Sequence, residues 1–451
     1  MASTGEKQEL WGDETTKAVA NFPVSGQPIP PSVARWLGRI KGAAAQANAD
    51  LGLLDAEKAE RISAAASRIA AGELDDQFPI DVFQTGSGTS SNMNANEVIA
   101  TLAGEGVHAN DDVNMGQSSN DVFPSAVHLA TLDEITNDLL PAMEQLAASL
   151  EAKAKEFDDV VKSGRTHWMD AVPITLGQEF SGYAECVRRG AMDIAQASEQ
   201  LQELNIGATA VGTGLNAGDE FRRLVVQHLA RYTGLPLKPA ANLFRVTQSM
   251  GDVLAYSGAM RRLAVEVGKV ASDLRLLSMG PRAGLSEIAL PAVQPGSSIM
   301  PGKVNPSVAE MVNQVCFQVM GCDTTVAIAC EAGQLELNVM MPVIAWNALH
   351  ASTILREAMK VFRLRLVDGI VADEARAREL LDRSTASATA LSPYIGYAAT
   401  ADIAKESVKS GKSIRAIVLE RGLLDTTKLD AILSADAMTR GGVVGEDRKG
   451  G

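Results

Sequence analysis

Apolar positions recur along most of the chain at steps of three, four and seven, which lays a stripe down one face of an α-helix. Alanine-rich runs at 31–49 and 56–71 predict two amphipathic helices. Leu132, Ile135, Leu139, Met143, Leu146, Leu150 and Phe157 predict a longer one. Pro141 should kink or split it, because proline has no N–H for the ladder. Val253, Met260, Leu263, Val267, Val270, Leu274 and Leu277 mark a further helix from about 248 to 279, with the seam of a helical bundle. Glycines at 251, 258 and 268 inside that stretch predict close approach by a neighbour, since a helix-interior glycine otherwise only costs stability.

The pattern changes after Lys303. From there to Arg356 no lysine or arginine occurs, and the only carboxylates are Glu310, Asp323, Glu331 and Glu336. A helix so poor in charge is buried on most sides, as a core element of one chain or at a subunit interface. Asparagines and glutamines recur throughout the interval and exclude a membrane span. Charge returns beyond 371. The chain reads as all-α, with a domain boundary there and a small helical unit at 375–451.

Composition narrows the functions available. Only 4% of residues are aromatic, which suits close-packed helices better than a β-sandwich. The net charge is −14, from 41 basic and 55 acidic residues, and argues against nucleic acid or an anionic membrane surface as partner. Cys186, Cys316, Cys322 and Cys330 form no CxxC pair and have no histidine at ligand spacing, so neither a metal site nor a disulfide framework is expected. Residues 1–10 lack the apolar core of a signal peptide, and a cytoplasmic location is the expectation.

Candidate chemistry sits in polar clusters between the helical runs. The stretch 296–306, GSSIMPGKVNP, is broken by Gly296, Pro301, Gly302 and Pro306 and must be a loop. Its hydroxyls Ser297 and Ser298, with Lys303 and Asn305, suit a small anion, though a solvated connector has the same composition. The spacing is not that of a phosphate-binding P-loop. At 84–97 hydroxyls, amides and glycines, Ser87 and Thr89 among them, precede a helix and could cap it or offer donors to an anion. Further clusters hold His108, Asn110 and Asp111, then Ser118, Ser119 and Asn120, then Thr166 and His167. His167 in a glycine-led turn is either structural or a candidate acid/base, histidine being the side chain that titrates unperturbed near neutrality. The glycine-rich turn at 207–216 lacks a surrounding βαβ unit and is no nucleotide site.

Taken together, GSSIMPGKVNP and the clusters at 84–97, 108–114, 116–121 and 163–173 resemble, in order, the signatures of the fumarase/aspartase superfamily, class II fumarases in particular. The resemblance runs from Leu10 to about Leu424. It implies an all-α three-domain fold, with an N-terminal helical domain (1–117), a central long-helix bundle (118–374) and a small C-terminal helical domain (375–451), a homotetramer whose active sites each draw on three subunits, and addition or elimination across the C–C bond of a small dicarboxylate, fumarate or malate, without metal or organic cofactor. Position by position, Ser297 resembles the loop base, and Lys303 and Asn305 the groups that hold the carboxylate of the aci intermediate. Ser87, Thr89, Ser118, Ser119, Asn120 and Thr166 match the substrate-binding positions. His167 matches the histidine that orients water, Glu310 its carboxylate partner, and His108, Asn110 and Asp111 a secondary carboxylate site. Ser87 and Ser119 have the fumarase form, whereas 312–317 and 331–335 look more like aspartase, so hydration of fumarate is expected and aspartate ammonia-lyase is the alternative.

Overall fold

The computed structural model describes residues 8–294, 296, 299–300 and 302–442. Its helices include, in chain order, α1 (Pro31–Asp50), α2 (Ala56–Ala70), α3 (Thr89–Ala103), α4 (Ser119–Glu134), α5 (Leu140–Glu156), α6 (Gly251–Leu277), α7 (Ser307–Glu331) and α8 (Met341–Arg365). The strands that matter for the site are β1 (Val161–Thr166) and β2 (Met169–Thr175). Two compact units divide the chain: Met1–Ala142 with Gly190–Val265 and Val315–Glu357, and Met143–Arg189 with Glu266–Gln314 and Ala358–Gly451.

In the first unit, α1 begins with Pro31 in its first turn, where a missing N–H costs nothing, and buries Val33, Leu37, Ile40, Ala44 and Ala47. The Asp55 carboxylate caps α2 by accepting from the N–H groups of Glu57 and Lys58. These two helices lie so close that a Cβ on Gly38 would stand 2.9 Å from the Ile69 side chain. Every residue of α4 from Asp121 to Leu132 is buried, which makes it the centre of the unit.

Two prolines shape this central run. Pro124 cannot donate to the Asn120 carbonyl, and that carbonyl accepts from Asn205 Nδ2 at 3.1 Å instead. The helical run does not end at Pro141. A π-turn at Ile135–Leu139 joins α4 to α5 and absorbs the opened ladder as one wider turn. All seven seam positions from Leu132 to Phe157 are buried, as are all seven from Val253 to Leu277 in α6.

The expected close neighbour of the α6 glycines is only partly present. A Cβ on Gly258 would meet nothing from another element within 4 Å, whereas the Gly268 carbonyl accepts from Asn313 Nδ2 at 2.8 Å. Burial of α7 on most sides is also not what one chain gives. Val312, Cys316, Val319, Cys322, Val326 and Ala329 are buried, while Phe317 and Ile328 are 64% and 65% exposed. With Gln318, Gly321 and Thr324 they form an uncharged exposed stripe at helical spacing.

The second unit contains the β1–β2 hairpin, paired antiparallel with Thr166 opposite Met169. His167 and Trp168 form its turn at φ 55° and 63°. Positive φ at both central residues gives a two-residue turn the twist its strands need. Residues 388–432 contribute a small core of their own, with Leu391, Ile403, Ile417 and Leu429 fully buried. No helix among the described residues is long and apolar enough to cross a membrane. The four cysteines are free thiols, Cys316 and Cys322 buried, and burial pushes the Cys316 thiol up to about 12.

Candidate active site

The first unit presents two helix N-termini dressed with hydroxyls. Gly88, at φ 73°, leads into Thr89, the first residue of α3. A side chain at Gly88 would strike the Phe123 ring at 2.3 Å, so only glycine lets this loop lie against α4. The hydroxyls of Ser87 and Thr89 are hydrogen-bonded at 2.7 Å. Backbone pairing braces the loop from behind, where the Met341 N–H donates to the Gly86 carbonyl at 2.9 Å.

Ser118 caps α4 in a capping box. Its Oγ accepts from the Asn120 N–H at 3.2 Å, and Asp121 accepts from the Ser118 N–H at 3.0 Å. The Ser118 O–H remains a donor at the positive end of the helix dipole, where an anion is stabilised. Ser119 Oγ accepts from Asn92 Nδ2 of α3 at 3.0 Å, which ties the Thr89 and Ser118–Asn120 clusters together. Asn120 Nδ2 donates to the Ala210 carbonyl at 2.8 Å, so the 207–216 turn serves as a wall of this cluster.

Beneath these groups lies a buried polar network to which sequence reasoning assigned no role. Lys41 Nζ donates to Asn114 Oδ1 at 2.8 Å, and the same oxygen accepts from Asn92 and Asn96, each at 3.3 Å. Asp121 accepts from the Thr209 N–H at 2.8 Å. Burial pushes the Lys41 ammonium down to about 7 and the Asp121 carboxyl up to about 7. Two signals were available: asparagines at 92, 94 and 96 inside a helix, and a lysine on an alanine-rich face.

His108, Asn110 and Asp111 stand apart as a π-turn on the surface of the same unit. His108 Nδ1 accepts from the Asp111 N–H at 3.3 Å, and all three residues are exposed. Asp112 and Val113 are the buried residues of that turn, and Lys58 is bonded to Asp112 at 3.0 Å.

In the second unit Thr166 and His167 occupy the exposed tip of the hairpin. A buried ion cluster fixes the hairpin base. Arg165 donates to both oxygens of the fully buried Glu287 at 3.0 Å each, and Lys162 lies 3.2 Å from the same carboxylate. The loop that precedes α7 closes on itself, with the Gly296 N–H donating to the Lys303 carbonyl at 2.8 Å and Asn305 Nδ2 to the Gly296 carbonyl at 2.9 Å. A Cβ at Gly296 would meet that Lys303 carbonyl at 2.3 Å, so the closure requires glycine. Ser297 lies outside the described residues. Beside the loop is a groove of about 660 Å³ lined by Arg275, Ser278, Ser286, Lys303 and Asn305 among others.

Glu310 stands in the first turn of α7 with Arg275 at 3.9 Å. Among the described residues no hydrogen bond joins it to His167 within one chain. No group of three or more histidine, cysteine or acidic side chains placed to hold a metal occurs among the described residues.

The first unit carries helix N-termini bearing hydroxyls and the second, by itself, a glycine-closed loop bearing a lysine and an amide, and each is equipment suited to a small anion. The family profile described as Lyase matches residues 1–321 and that described as Fumarase C C-terminus matches 388–440, and the chain belongs to this lyase family. Within it, the chain is 51% identical over 426 residues to the class II fumarate hydratase of Corynebacterium efficiens, covering 94% of this chain and 90% of the relative. It is 45% identical to the aspartate ammonia-lyase of Bacillus subtilis, with coverage of 98% and 96%. The crystal structure of class II fumarase from Schistosoma mansoni superposes with a TM-score of 0.94 at 36% identity, covering 96% of each chain.

Proposed function

We propose that the chain catalyses the reversible addition of water to fumarate, giving (S)-malate. In the malate-to-fumarate direction a base removes the proton beside one carboxylate, the electron pair moves into that carboxylate as an aci-dianion, and hydroxide leaves from the neighbouring carbon with a proton. Ser297 is the base in this reading, and its alkoxide needs the backbone N–H groups and ammonium of its own loop. Lys303 and Asn305 hold the aci-carboxylate. Ser87, Thr89, Ser118, Ser119, Asn120 and Thr166 grip the other carboxylate, and His167 with Glu310 orients the water. No step calls on a metal or an organic cofactor.

The observation that carries the reading is the Asn92–Ser119 bond at 3.0 Å, which joins two helix N-termini into one donor cluster suited to a carboxylate. Choice of water over ammonia rests on Ser87 and Ser119. The Ser87 hydroxyl makes a 2.7 Å bond to Thr89 that an alanine could not make. Identity favours the same side, 51% to a fumarate hydratase against 45% to an aspartate ammonia-lyase.

A homotetramer completes the proposal, each site drawing on three chains and the uncharged α7 stripe lying between them. The three-domain division at 117/118 and 374/375, the secondary carboxylate role of His108, Asn110 and Asp111, and a cytoplasmic location belong to it too. Incubation of the protein with fumarate, with and without ammonium, followed by identification of the product, is the test. Malate in both mixtures is the expected result. Aspartate as the main product in ammonium would reject hydration in favour of ammonia addition.

A further inference from the structure

Lys41 is 0% exposed, on the face of α1 that also buries Leu37, Ile40, Ala44 and Ala45. An ammonium in such surroundings is costly unless its charge is answered. Among the described residues its hydrogen bond goes to one neutral acceptor, Asn114 Oδ1, at 2.8 Å. That oxygen also receives the Asn92 and Asn96 amides, while Asn92 Oδ1 and Asn96 Oδ1 are buried without a partner. Among the described residues the carboxylate that acts on the ammonium is Asp121, also 0% exposed, and its oxygens are already engaged by the N–H groups of Ser118 and Thr209.

The network leads towards the donor cluster. Asn114 Nδ2 donates to the Gln117 carbonyl at 3.2 Å, and the next residue is the cap Ser118. Asn92, bonded to the same Asn114 oxygen, donates its other bond to Ser119 at 3.0 Å. Lys41 thus lies behind both serines, with Asn114 and, towards Ser119, also Asn92 between, and its ammonium form is met by one neutral oxygen and a carboxylate already engaged elsewhere.

We infer that Lys41 is a positioning residue for the substrate: its ammonium form, bonded to Asn114 and through it to Asn92, orients these amides and so strengthens the hold of Thr89 and Ser118–Asn120 on the carboxylate without touching it. The inference rests on the fumarate reading above. Fixed charge in a dry site acts at longer range than in water, because little solvent screens it.

Wild-type turnover of fumarate is measured first, and its absence overturns the reading of the reaction rather than the role of Lys41. In the full-length chain Lys41→Met should then raise KM for fumarate about tenfold or more while kcat changes less, as expected when ground-state and transition-state binding weaken together. Its melting temperature should hold or rise, because an apolar isostere replaces a buried charge. A purely structural lysine gives the opposite pattern, with a lower melting temperature and KM unchanged, and that result overturns the inference. Lys41→Gln removes the charge while still offering an amide N–H towards Asn114 from a shorter side chain. It should raise KM in the same way, and wild-type KM in this variant overturns the inference even where Lys41→Met does not fold. Failure of both variants to fold assigns Lys41 to the architecture and also overturns it.

Discussion

Asp81 is only 6% exposed, yet its environment favours the charged form. Burial pushes the carboxyl up, but the N–H groups of Phe83, Ser25 and Gly26 and the Ser25 hydroxyl more than offset it and hold it below the usual range. A carboxyl whose folded pKa lies below its unfolded value stabilises the fold above the unfolded value, near 4. That contribution is lost as pH falls through the folded one. Asp81→Asn should therefore cost about 2 kcal/mol at neutral pH, the worth of a charged acceptor for several buried donors, with a smaller cost near pH 3. Urea unfolding at the two pH values checks this, and an equal cost at both would show that the charge is not what matters. The same chemistry distinguishes Lys41 and Asp121, where burial wins over the partners.

At the scale of elements, α4 organises the first unit and carries the cap of the donor cluster, so a defect in its ladder has to be repaired locally. Pro124 makes that defect and Asn205 repairs it at 3.1 Å. Asn205→Ala should destabilise the protein by about 1–3 kcal/mol, because the half-buried Asn120 carbonyl and the buried Thr247 hydroxyl both lose a partner. In a Pro124→Ala background residue 124 regains an N–H for that carbonyl, and the cost of Asn205→Ala should fall by about 1 kcal/mol. Denaturant unfolding of the four proteins measures the coupling, and strictly additive costs would remove Asn205 from this role. The helices themselves were legible in the sequence, since every predicted seam residue of α4–α5 and α6 is buried and spacing alone determines which face points inward. Pro141 was legible as a disturbance but not as a π-turn, because the sequence does not say how a broken ladder is re-bonded. The capping box at Ser118–Asp121 could be read from its residue types. What could not be read was the Asn92–Ser119 bond, which needs α3 and α4 side by side, or the burial of Lys41 beneath both. The hairpin at 167–168 was also hidden, since no glycine marks its positive φ.

For the whole molecule the decisive feature is the face of α7 that one chain leaves uncovered. Phe317 and Ile328 are 64% and 65% exposed, and no charge interrupts the stripe that they share with Gln318, Gly321 and Thr324. A surface helix of a monomer carries charge on its outer face, so a stripe of this kind is suited to meet another copy of the chain. Gly258 fits the same account, because a Cβ added there would meet nothing from another element within 4 Å, and the room beside a helix-interior glycine can admit a neighbour from outside. If each site takes residues from several chains, assembly and activity must fail together. Phe317→Asp combined with Ile328→Asp places two charges where the contact would be dry, at a cost of about 3 kcal/mol or more per interface. Sedimentation should then show a smaller species, and fumarate hydration should fall by on the order of 100-fold as the donor groups are no longer held together. Circular dichroism should remain helical, since neither side chain belongs to the core of its own chain. Full activity in a dissociated variant would mean that one chain holds a complete site. An unchanged sedimentation coefficient would move the contact to another face of the molecule.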